Sequence, residues 1–214
     1  DIVNIPKYPD ITSAYGFYEA YLNQLIINEK FISLRDKNFN STVDKIFISK
    51  NNRICLNPEY FKFYHGSAES IPSETETFDC VLSQAVMEHL SNPEGVIKEI
   101  KRVLKPKGFS FHQIDLRDHR DFNKPFEHLY LSRIKWNKEQ ESLDFCSGNQ
   151  YRGIEFKNWF ERQGFTIQSY ITHYNNENSK CCEPLEINRI HDDFKHFDPT
   201  ELASLGCFIL AEKV

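Results

Sequence analysis

Residues 63–108 read FYHGSAESIPSETETFDCVLSQAVMEHLSNPEGVIKEIKRVLKPKG, and this stretch decides the fold class. Phe61 to Tyr64 has the composition of a short strand that ends in the turn residues His65-Gly66-Ser67. Phe78 to Ser83 reads as a second strand. Its unbroken apolar centre, Cys80-Val81-Leu82, suits a strand covered on both faces, as in a parallel sheet. Ser91 and Glu94 then have capping-box spacing, and Pro93 stands where a first-turn proline is tolerated. Val96, Ile97, Ile100, Val103 and Leu104 follow at helical spacing, with Pro106 and Gly108 as stop signals. Phe109 to Ile114 begins another strand. A strand-helix-strand order predicts a right-handed crossover and parallel pairing.

Outward from this centre the pattern continues as α/β. Tyr15 to Leu34 carries Tyr18, Leu22, Leu25 and Ile26 on one helical face, and Val43 to Ser49 alternates as a strand does. Residues 51–60 favour neither element, and Pro58 argues against a regular one. Residues 115–151 are too long for a plain connection, and their aromatic and charged content predicts a small helical insertion over a pocket. Ile154, Trp159 and Phe160 lie on a helix ended by Gly164, followed by a strand over Phe165 to Thr172. Pro199-Thr200-Glu201 starts a last helix, and Cys207 to Glu212 is the last strand. Alternating strands and helices place residues 1–214 in one α/β domain with helices on both faces of its sheet.

Composition narrows the function classes. The net charge of -5 argues against nucleic-acid binding, which needs a concentrated basic surface. No apolar run reaches bilayer length and the first thirty residues lack a signal-peptide core, so a soluble, cytoplasmic protein with no membrane partner is expected. Cys55, Cys80 and Cys207 sit in apolar stretches, and Cys181-Cys182 are adjacent rather than spaced as C-x-x-C. Reduced thiols are expected. Cys181 and Cys182 with His191 and His196 match no standard ligand spacing, so no metal site is expected either.

The linked motifs Gly66-Ser67-Ala68-Glu69-Ser70-Ile71-Pro72, Phe78-Asp79-Cys80-Val81, Val86-Met87-Glu88-His89-Leu90 and Arg102-Val103-Leu104-Lys105-Pro106-Lys107-Gly108 resemble the type 11 group of class I S-adenosylmethionine (SAM) dependent methyltransferases. Ile114-Asp115-Leu116-Arg117-Asp118-His119 and the ending from Phe197 to Ala211 extend the likeness more loosely. The resemblance implies a Rossmann-like sheet, SAM as cofactor and an unknown small-molecule acceptor. It places Gly66, Ser67, Ala68 and Glu69 beside the adenine, with Ser83, Gln84 and Ala85 lining the cofactor cleft. Glu88 and His89 would face the methyl-transfer centre. Candidate general bases for a hydroxyl acceptor are His89, His112, Asp115 and His119.

One feature departs from the group's pattern. Such enzymes open their sheet with a strand ending in a G-x-G-x-G-like turn, where the glycines let the backbone approach the cofactor. Here no glycine falls between Gly16 and Gly66, and no G-x-G occurs anywhere. Residues 1–60 therefore read as divergent or truncated relative to that sheet. Two functions follow: a methyltransferase that holds SAM by other backbone contacts, or a non-catalytic interaction module that has lost SAM. A truncated sheet would expose an edge or an apolar face, so a homodimer is also expected.

Overall fold

A computed structural model describes residues 47–50, 53–57, 59, 64, 66–141, 147–174 and 182–214. The chain divides into two compact units, residues 1–67 and 68–214. In the first, strand β1 (Phe47–Lys50) pairs antiparallel with β2 (Arg53–Leu56). β1 overlaps the expected strand over Phe47–Ser49 and runs one residue past it, whereas β2 forms where the residue pattern was ambiguous. The helix expected over Tyr15 to Leu34 and residues 61–63 of the expected short strand lie outside the described residues.

The second unit is built on a four-stranded sheet of β3 (Phe78–Gln84), β4 (Leu104–Asp115), β5 (Phe165–His173) and β6 (Gly206–Lys213), in the order β3-β4-β6-β5. β3 and β4 are parallel, with Val81 opposite Ser110 and Gln84 opposite Gln113. β6 runs antiparallel to both β4 and β5. The parallel pair expected from the central stretch is thus present, and an antiparallel strand enters the sheet beside it. This is an α/β fold in its element order, with a mixed rather than purely parallel sheet.

Helix α1 (Pro93–Val103) makes the crossover between β3 and β4. Its N-cap is Asn92, whose side chain accepts a hydrogen bond from the Gly95 amide at 3.0 Å. The Ser91–Glu94 capping box expected from spacing does not form the cap; Asn92 does so one residue later, which leaves Pro93 at the first helical position. The helix also stops earlier than Pro106. Leu104 is already extended, and β4 begins there. Gly108 therefore acts inside the strand, not as a helix stop. A Cβ on it would lie 2.9 Å from the Lys105 carbonyl oxygen and 3.0 Å from that of Asp79, so the close approach of β3 requires glycine.

Val96, Ile97, Ile100 and Leu104 meet Phe156 and Phe160 of helix α3 (Gly153–Arg162), together with Ile114, Phe165, Ile209 and Ala211, in the main core. Alternation along β4 sends Ser110, His112 and Ile114 into this covered face. The opposite face carries Leu82, Phe109, Phe111 and Ile171, all exposed. The expected insertion is helical, with a 3-10 turn at Glu127–Tyr130 and helix α2 (Arg133–Glu141). It has its own small core of Phe126, Leu129, Ile190, Phe194 and Leu202, and Leu202 belongs to the one-turn helix α4 (Pro199–Leu202) before β6.

Arg152 joins these parts. Its side chain is fully buried and donates hydrogen bonds to the carbonyl oxygens of Leu116, Leu202 and Ser204, just past β4 and just before β6. Its own amide is capped by the Glu155 carboxylate at 2.9 Å, at the start of α3. Arg152→Met would leave these carbonyls unpaired inside the protein, and a loss of about 3 kcal/mol or more is expected in urea unfolding. Arg152→Lys should recover only part of it, because one ammonium cannot span carbonyls on separate segments.

Candidate functional site

In open α/β sheets, ligands bind beyond the carboxyl ends of the parallel strands. Here the chain leaves β3 through Ala85, whose φ of 51° is in the left-handed region. Its amide donates to the Gln113 carbonyl at 3.0 Å, so the turn is pinned to β4. The left-handed residue reverses the chain into a 3-10 turn, Met87–His89. Met87 anchors this turn in the core, and Glu88 is drawn inside with it: both are 1% exposed.

A second segment clasps the turn. Asn149 donates from its side chain to the carbonyls of Met87 at 3.0 Å and Leu90 at 3.2 Å, and from its amide to the Glu88 carbonyl at 2.6 Å. The preceding Gly148 has a φ of 93°, which admits this crossing over the turn. From the end of β4 come Asp115 and, four residues on, His119. The His119 amide donates to the Ser147 carbonyl at 3.2 Å.

These contacts bring four functional side chains together. The His89 and His119 rings meet edge to face with centroids 4.9 Å apart. His119 Nε2 lies 3.6 Å from Asp115 Oδ2. Donor atoms of Glu88, His89 and His119 all fall within 4.8 Å of one another. Arg117 grips Asp115 with two side-chain hydrogen bonds, at 2.9 and 2.5 Å, and covers the Phe122 ring at 4.4 Å. Burial works against the charged form of Asp115, but the hydrogen bonds from Arg117 and His119 outweigh it and hold the carboxyl well below the usual carboxylate range. Glu88 is in the opposite situation. Neither of its carboxylate oxygens has a hydrogen-bond partner, and burial pushes its pKa up to about 7.

The other residues singled out from sequence lie elsewhere. His112 is fully buried under Phe160, with its ring nitrogens 2.7 Å from Ser83 Oγ and 2.5 Å from Ser110 Oγ. It faces the helix-covered core, away from solvent. Ser83 thereby spends its hydroxyl on His112, while Gln84 and Ala85 are exposed at the end of β3. Glu69 accepts from the Asn92 side chain at 3.2 Å, and Ala68 packs against the core. Gly66 and Ser67 belong to the first unit, and both are exposed. The residues that sequence reasoning did not assign a role are Asn149, Gly148 and Arg117. Nothing in local spacing links 148–149 to 87–90; only the fold does. A depression of about 470 Å³ lies on the insertion, lined by Arg120, Glu127, Tyr130, Leu131, Glu139 and Arg189. Its arginines are paired, Arg120 with Asp118 and Glu139, Arg189 with Glu127 and Glu186.

Residues 32–111 match the family model described as a methyltransferase domain. The match takes in β3, α1 and the Glu88-His89 turn. The matched segment is 80 of the chain's 214 residues, and it is similar to such a domain. A relative in Schizosaccharomyces pombe, described as an uncharacterized methyltransferase, is 30% identical over 92 residues, which is 42% of this chain and 33% of that protein. The chain thus spans about a third of the length of that curated relative. Among solved structures, a SAM-dependent methyltransferase from Thermotoga maritima is 21% identical, with 70% of this chain and 62% of that chain covered and a TM-score of 0.42. One from Listeria monocytogenes is 17% identical, with 70% and 67% covered and a TM-score of 0.43. Of the His89–His119–Asp115 group, His89 lies within the matched segment, and Asp115 and His119 lie just beyond it. Among the described residues, no helix is long and apolar enough to cross a membrane.

Burial lowers the pKa of His112 to about 4. The unfolded chain, with a histidine near 6.5, therefore binds a proton that the folded protein refuses across this window. Stability from this residue is complete above about pH 6.5 and is lost as pH falls towards 4, by up to about 3 kcal/mol. Chemical denaturation of wild type and His112→Gln between these pH values checks it: the wild type should lose stability more steeply on acidification.

Proposed function

We propose that this protein is a SAM-dependent methyltransferase acting on a small-molecule acceptor, with His119 as general base. The reading rests on one observation above all. A chain whose residues 32–111 match a methyltransferase domain carries, four residues past the end of β4, a histidine whose Nε2 stands 3.6 Å from a carboxylate. In such a transfer the sulfonium–methyl bond breaks as the bond from methyl to acceptor forms, and S-adenosylhomocysteine leaves. The acceptor's proton passes to the base. Alignment and exclusion of water supply most of the acceleration.

His119 would take the proton at a ring nitrogen, and Asp115, kept ionised by Arg117, would orient the ring and stabilise the imidazolium. His89 packs against the same ring and fixes its plane. Gln84 and Ala85 offer an exposed, unobstructed strand end for the cofactor, which fits the assignment made from the resemblance. Ser83 does not serve there, since His112 holds its hydroxyl.

A second reading has a specific observation in its favour: the sequence contains no G-x-G turn. On that reading the protein is a non-catalytic interaction module. Calorimetry with SAM and S-adenosylhomocysteine separates the two. Binding of both ligands supports the enzyme, and no heat at millimolar ligand overturns it. With an acceptor in hand, His119→Gln should lower kcat about 10²-fold or more and leave SAM affinity near that of wild type.

A further inference from the structure

We propose that Glu88, His89 and His119 form a binding site for one divalent transition-metal ion, of the zinc, manganese or iron(II) class. The site does not depend on SAM binding. With a metal bound, however, both His119 ring nitrogens are engaged and His119 would not itself take an acceptor's proton, so the metal role and the general-base role exclude each other.

The first observation is an uncompensated group. Glu88 is 1% exposed and both of its oxygens lack a hydrogen-bond partner. Buried polar atoms are nearly always paired, and a carboxylate this buried, with neither oxygen in a full hydrogen bond among the described residues, needs a reason. Arg117, beside it in the cluster, is hydrogen-bonded to Asp115 through two side-chain bonds. The second observation is convergence. Two imidazoles and this carboxylate bring their donor atoms to within 4.8 Å of one another. Metal–ligand bonds of about 2 Å would draw these donors together by on the order of 1 Å, which side-chain rotation provides.

The donor set states the metal class. Two histidines and one carboxylate, with positions left open, suit zinc or a 2-His-1-carboxylate ion such as iron(II). Magnesium prefers oxygen ligands and keeps its waters, so it fits poorly. The surroundings complete the arrangement. Asp115 Oδ2 stands 3.6 Å from His119 Nε2, the place of the carboxylate that commonly orients a metal-bound imidazole. Asn149 and the left-handed Ala85 fix the turn that carries two of the three ligands. Coordination would also give the buried Glu88 carboxylate a cation to pair with.

Zn²⁺, Mn²⁺ and Mg²⁺ titrated into the chelator-stripped full chain, with metal content read by mass spectrometry, test the site. One Zn²⁺ or Mn²⁺ per chain is expected, with Mg²⁺ clearly weaker. Glu88→Gln and His119→Gln should each weaken binding by at least about tenfold, whereas His196→Gln on the exposed surface should not. The Co²⁺ form of the unaltered protein should show the visible bands of a four- or five-coordinate nitrogen and oxygen site, which decides the matter even where a variant fails to fold. No stoichiometric metal, equal binding by the Glu88 and His119 variants, or a six-coordinate all-oxygen Co²⁺ spectrum would overturn the assignment. Loss of SAM binding with metal retained would count against the methyltransferase reading alone.

Discussion

A single buried guanidinium holds the second unit in register. Arg152 donates to the carbonyls of Leu116, Leu202 and Ser204, and so joins the exit of β4 to the entry of β6 at the start of α3. A charge with no water around it lowers its own pKa through desolvation. It is retained because the carbonyls it serves, on the segment after β4 and the segment before β6, would otherwise be orphaned inside the protein. Leu116 immediately follows Asp115, so the position of the candidate base group is set from this interior tie. The site and the core are one structure at this point.

The chemistry at the strand ends follows from unequal treatment of two carboxylates. Asp115 and Glu88 lie close together, yet Arg117 answers only Asp115. One stays ionised well below its ordinary range, and the other is lifted to about 7. Environments that push neighbouring acids apart in this way are typical of places where protons or cations are handled.

Much of the fold was legible because it rests on local rules. The apolar run Cys80-Val81-Leu82, the helical spacing from Val96 to Leu104 and the strand after it produced β3, α1 and β4 in the expected parallel order. The run expected to be covered on both faces, however, leaves Cys80 and Leu82 exposed. Boundaries moved by a few residues where competing local signals stood side by side. Asn92 outcompeted Ser91 as the cap, and Leu104 turned extended before Pro106 was reached. The insertion was recognisable as helical, but its private core with residues 190–202 was not, since that pairing joins segments 60 or more residues apart. The site was legible in part: His89, Asp115 and His119 were singled out and do meet. His112 was singled out with them by residue type, and the pleat of β4 turned it into the core.

By itself, then, the sequence determined the element types, the crossover, the methyltransferase likeness carried by linked motifs, and the absence of a G-x-G turn. These are properties of contiguous residues, whose periodicity and turn chemistry act over one or two turns of chain. The tertiary structure alone decided which histidines share a site, that Asn149 clasps the Glu88 turn, and that Arg152 ties strand ends to helix starts. It also decided that Glu88 is sealed away with no donor to answer it. Burial and pairing depend on what arrives from distant parts of the chain, and no local pattern encodes that arrival.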